Sequence, residues 1–152
     1  VPVLPGLRPW RRRSDDPALA ADRVLAGELD ERRASAREAE GALREREAAG
    51  APAAELADAR RLLDTRLTAA LEAAEAAYRV AVGPLQGVRR TAYLARLVRP
   101  EVRAADHERR QLALARTHLR VEARDDLDLR RIAAVPPSVG TDALDLGTRA
   151  PH

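Results

Sequence analysis

Arg109, Arg116, Arg120 and Arg124 recur at spacings of seven, four and four residues, which on a helix turning 100° per residue gathers them within roughly an 80° arc. A row of guanidiniums on one face can track phosphates or meet an acidic protein surface. Nucleic-acid sites usually add base-contacting amides or stacking aromatics to the basic row, and this stripe offers neither Asn nor an aromatic. An acidic partner surface, within the chain or on another subunit, is the better match. A solvated face shaped by codon usage is the third reading.

A second basic cluster, Trp10 with Arg8, Arg11, Arg12 and Arg13, has the composition of an interfacial anchor. Indole and guanidinium both favour the headgroup zone, and anionic lipid attracts clustered cations. Four charges suffice only for weak, reversible contact with a membrane or partner, so the simplest expectation is a basic tail with Trp10, Arg11, Arg12 and Arg13 as its candidate anchor.

Other chemistries fail on spacing or inventory. His107 and His118 lie eleven residues apart, roughly 16 Å along a helix axis, too far to share one metal. Asp125, Asp126 and Asp128 lack the Gly and terminal Glu of a calcium loop. There is no Cys and no Lys, so thiolate, Schiff-base and phosphate-loop lysine chemistry is excluded, and none of Ser14, Ser35 or Ser138 stands in a recognisable nucleophile motif. Carboxylates alternate with Arg in the manner of a solubilised helix face. The chain is expected not to be an enzyme and to hold no metal or cofactor.

The elements that position these residues follow from composition. In 152 residues, Trp10, Tyr78 and Tyr93 are the sole aromatics and Phe and Met are absent. Leu, Ile and Val barely exceed the share of about 20% below which chains tend to stay disordered. A core of Leu, Val and Ala suits narrow helix–helix seams better than a sandwich or barrel, so an all-α fold is expected. The formal net charge is only +3 although the pI is about 10.4. All the basic residues are Arg, little titrates near neutrality, and the pI is poor evidence for nucleic acid. Missing Lys, Asn, Phe and Met beside abundant Ala, Arg, Gly and Pro point to a high-GC, bacterial source. A first residue of Val with no Met anywhere implies a non-AUG start, processing or a fragment.

Along the chain, residues 1–16 read as a basic Pro-rich tail. Pro17, after Asp15 and Asp16, opens a helix. From there Leu25, Leu29, Arg32, Ala36, Ala39 and Leu43 alternate at four and three residues, the a/d pattern of a coiled-coil seam. Arg32 is its misfit; its stem is expected to lie along the seam with the guanidinium in water, so Arg32→Leu is expected to raise thermal stability. Gly50 and Pro52 reverse the chain, and Leu56, Ala59, Leu63, Leu67, Ala70, Ala74, Ala77 and Ala81 form the opposing stripe as far as Gly83 and Pro84. Residues 17–82 thus predict a long antiparallel coiled-coil hairpin. A shorter basic helical pair follows over 83–134, with helices at 85–99 and from Pro100 to about Ala134, where Pro136 and Pro137 end it. The two parts form a single helical domain, 17–134, and 135–152 is expected to be a flexible C-terminal tail.

Leu62, Leu71 and Tyr78 lie off the first seam and are the candidate residues for receiving the later helices or a partner. No apolar run approaches the roughly 18 residues of a membrane span and no secretory leader is recognisable, so the expected location is the cytoplasm. The expected role is a non-catalytic coiled-coil scaffold or adaptor that binds itself or another protein through helical faces. The alternative is a nucleic-acid-binding helical module using the arginine stripe.

Overall fold

The computed structural model describes residues 17–133, with side chains described as far as Asp126. The expectations for residues 1–16 and 135–152, including those for Trp10, Arg11, Arg12 and Arg13, lie outside the described residues. Within them the fold is all-α: α1 (Pro17–Gly27), α2 (Leu29–Ala48), α3 (Ala53–Val82), α4 (Arg90–Leu97) and α5 (Pro100–Ala133), with no strand among the described residues.

Pro17 opens α1, where its missing N–H is not needed. The first arm, expected as one helix, is broken for a single residue. Glu28 donates its N–H to the Leu25 carbonyl, three residues back, at 3.2 Å, a tightened turn directly after the weak helix former Gly27. At the end of α2, Gly50 takes φ 65°, Ala51 N–H reaches the Arg46 carbonyl at 3.0 Å and Gly50 N–H reaches Glu47 at 3.1 Å. This is a Schellman closure, which requires the left-handed residue that Gly supplies. Pro52 then starts α3. The third expected helix is shorter than 85–99, because Gly87 at φ 68° cannot sit in a right-handed helix and α4 begins only at Arg90. Arg96 ties this segment back, donating to the carbonyls of Val82 at 3.2 Å and Pro84 at 2.8 Å, two groups that the end of α3 leaves without helical partners.

Helix α3 is the centre of the arrangement, packing against α1, α2 and α5. Contacts that run from Asp22–Arg79 through Arg32–Ala69 to Glu47–Arg60 make α1 and α2 antiparallel to α3. Contacts that run from Arg109–Tyr78 to Asp64–Arg120 and Arg60–Asp126 make α5 antiparallel to it as well. Helices α2 and α5 therefore run in the same direction on two sides of α3.

Ala36, Ala39 and Leu43 of α2 are buried against Ala59, Leu63 and Leu67 of α3, and Leu119 of α5 joins the same cluster. Towards the other end Ala70, Ala73, Ala74 and Ala76 have no exposed surface, and Leu19 of α1 and Val102 of α5 are buried as well. Ala73 and Ala76 fall outside the expected stripe because α3 buries two faces. Small side chains at these positions permit a close approach of the axes. The expectation for Arg32 is corrected: its guanidinium turns across the seam and donates to the Ala69 carbonyl at 3.0 Å and to Glu28 at 2.8 Å.

Candidate interaction faces

Three of the four stripe arginines point at α3. Arg120 donates from Nε and Nη2 to the two carboxylate oxygens of Asp64, at 2.8 and 2.9 Å, and Arg116 Nε reaches the same carboxylate at 3.4 Å. Arg109 lies 5.0 Å from the centroid of the Tyr78 ring and donates to Asp106 at 2.7 Å. Arg124, at the edge of the arc, is exposed and has no polar partner among the described residues. The hydrogen bond from Arg120 is the largest influence on the Asp64 carboxyl and outweighs the opposing effect of burial; with the charges of Arg120 and Arg116 adding to it, the carboxyl is held below the usual carboxylate range. The hydrogen bond from Arg109 lowers Asp106 in the same way. Further along, Arg60 pairs with both Asp126 and Glu47, which raises its affinity for the proton and clips α2, α3 and α5 together at one end.

Of the other candidates, Tyr78 is half-buried beneath Arg109, Leu71 is half-buried, and Leu62 remains 47% exposed. His107 and His118 are both exposed, and His118 Nδ1 lies 3.1 Å from Glu122. Among the described residues no group of three or more His, Asp or Glu is placed to hold a metal ion, and no helix is long and apolar enough to cross a membrane.

Two outward faces remain, neither of them marked by the spacing of the arginines or of the seam residues. With Val102 and Leu119 turned inward, α5 presents Arg103, Arg110, Leu114, Thr117, Val121 and Arg124 on its opposite side, within an arc of about 80°. Leu114 is 64% exposed and Val121 53%. Of the acidic side chains described on α5, Asp106 alone falls on this arc, at its edge, where it pairs with Arg109 and Arg110. On α2, with Ala36, Ala39 and Leu43 turned inward, the outward face carries Glu31, Glu38 and Glu45 beside Ala34, Gly41 and Ala48. None of these three carboxylates has an ion-pair partner among the described residues. The available signal was the inward triplet on each helix: orienting α5 on Val102, Leu112 and Leu119 sends Leu114 and Val121 outward, whereas an arc of arginines alone does not reveal which side is buried.

Between α2 and α5 runs a groove of about 770 Å³, floored by Leu63 and Leu67 of α3 and walled by Leu43 and Leu119. The Arg33–Glu108 ion pair, 2.8 Å, spans its two rims.

Compared with known protein families, curated proteins and solved structures, the chain matches none.

Proposed function

We propose that the chain is a non-catalytic scaffold or adaptor, built on a coiled-coil hairpin, that engages itself or another protein through helical faces. The observation that carries this reading is the outward face of α5, where Leu114 and Val121 stay exposed after the other helices have packed. Two aliphatic side chains one heptad apart on a helix, flanked by arginines, are the pattern of a docking face.

The nucleic-acid alternative is the weaker reading, because Arg109, Arg116 and Arg120 spend their donors on Asp106 and Asp64. Phosphate binding would have to break those pairs or rely on other residues.

Two measurements test the proposal. At a protein concentration low enough to keep the chain monomeric, the double variant Leu114→Asp/Val121→Asp keeps the wild-type helicity and melting midpoint if this face serves an external contact. A labelled duplex stays unbound even at about 50 mM salt, where phosphate contacts are strongest. A midpoint lowered by several degrees in the variant, or duplex binding that falls steeply with salt, overturns the reading.

A further inference from the structure

The outward faces of α2 and α5 match each other. On α2, Glu31, Glu38 and Glu45 repeat every seven residues beside Ala34, Gly41 and Ala48, which repeat likewise. On α5, Arg103, Arg110 and Arg124 stand on the same heptad frame, with Thr117 at the remaining position, and Leu114 and Val121 are one heptad apart. The carboxylates of Glu31, Glu38 and Glu45 and the guanidiniums of Arg103 and Arg124 have no partner among the described residues. Arg110 is held only by Asp106, one turn away on its own helix, and stays 70% exposed. A side chain placed at Gly41 would meet no atom within 4 Å, so the surface there is open.

From this juxtaposition we infer that the occupant of the α5 face is the α2 face of a second copy of this chain. In an antiparallel register Leu114 sits over Gly41 and Val121 over Ala34, large side chains over small ones, as helix packing requires. The same register sets Arg110 against Glu45, Arg124 against Glu31 and Thr117 against Glu38. The parallel register that seats Leu114 on Ala34 and Val121 on Gly41 brings Arg124 against Arg44, so charge selects the antiparallel one. Each chain carries one face of each kind. The contact is therefore heterologous, and it propagates into a ring or a filament instead of ending at a dimer. This rests on the scaffold reading and specifies its partner.

The test is sedimentation of the full chain over about a hundredfold range of concentration, for wild type and for two charge-reversed variants, Glu31→Arg/Glu45→Arg and Arg110→Glu/Arg124→Glu. Wild type associates at low salt and dissociates as salt is raised. Each variant alone is monomeric with unchanged helicity, because its two faces now carry the same sign. An equimolar mixture of the two variants associates again, since the basic α2 face of one fits the acidic α5 face of the other and the remaining two faces are complementary as well. A wild type that stays monomeric at all concentrations and low salt overturns the inference, whether the face is covered by the chain's own tail or by a foreign protein. So do variants that associate singly, or a mixture that does not recover. A monomeric wild type together with an unbound duplex leaves the adaptor reading standing, so the two failures are separable.

Discussion

Asp64 of α3 receives Arg120 of α5 through two parallel hydrogen bonds, at 2.8 and 2.9 Å, with Arg116 one turn earlier reaching the same carboxylate. A single acid on the central helix thus holds two members of the basic row on the last one. Fork-to-carboxylate geometry fixes the axial register of two antiparallel helices as well as their attraction, which matters where much of the buried surface of α3 is alanine.

Asp64→Asn should lower the melting midpoint at pH 7 by about 3 °C, a modest effect because the pair is partly solvated. Its signature is the pH dependence. The unfolded carboxyl titrates near about 3.9 and the folded one lower, so as pH falls the unfolded chain takes up the proton first. The stabilisation is complete above about pH 5 and is lost progressively below about pH 4 as the folded carboxyl titrates in turn. The melting gap between wild type and variant should therefore be smaller at pH 3 than at pH 7. A gap of the same size at both would show that Asn perturbs packing and that the charge is incidental.

Arg32→Leu should lower stability by about 1 kcal/mol, reversing what the seam pattern alone suggests. The guanidinium donates to Glu28 and, across the interface, to the Ala69 carbonyl. Charge-assisted bonds of this kind contribute roughly 1.5–3 kcal/mol each when protected and less when half-exposed, as here, while Leu recovers part of the loss by burying apolar surface. Chemical denaturation at neutral pH measures the difference. An increase in stability would mean that Arg32 sets register at the cost of stability, as buried polar residues do in some coiled coils.

Much of this architecture was legible in the sequence because its punctuation is strong. Pro17, Gly50 with Pro52, Gly83 and Pro100 fall at or beside helix boundaries, since each residue constrains the backbone irrespective of its neighbours. The a/d spacing likewise picked out Ala36, Ala39, Leu43, Ala59, Leu63 and Leu67, all buried. What escaped depends on long-range partners. The burial of Ala73 and Ala76 requires knowing that α5 returns along α3, and Ala is equally at home on a solvated face. The arginine arc suggests an acidic surface within the chain or on another subunit without saying which; Arg116 and Arg120 in fact meet Asp64 of α3, while nothing in their spacing marks Leu114 and Val121 as the residues left outward. The break at Glu28 comes from a local tightening after Gly27, which an apolar period does not register.

Ala73→Leu should cost about 1–3 kcal/mol, the usual penalty for forcing extra methylenes into a packed interior. Ala73 has no exposed surface, and its methyl lies where α3 is covered on two sides. The larger side chain must push a neighbouring helix away. Ala53→Leu, at an exposed position in the first turn of the same helix, is the control and should be neutral within about 0.5 kcal/mol. Equal effects at the two sites would mean that the upper part of α3 is less tightly enclosed than its burial indicates.

Tyr78→Leu should destabilise by about 0.5–1 kcal/mol more than its loss of apolar area explains, because it removes the ring face on which the Arg109 guanidinium rests. Arg109 Nε is buried there without a hydrogen-bond partner, so the ring is what offsets its desolvation, and the Asp106 carboxylate holds the far end of the fork. Tyr78→Phe keeps the π face and should retain most of the wild-type stability. The decisive comparison is a double-mutant cycle with Arg109→Met: if Tyr78→Leu costs as much in the Met background as in wild type, the coupling energy is zero and the 5.0 Å approach is packing alone.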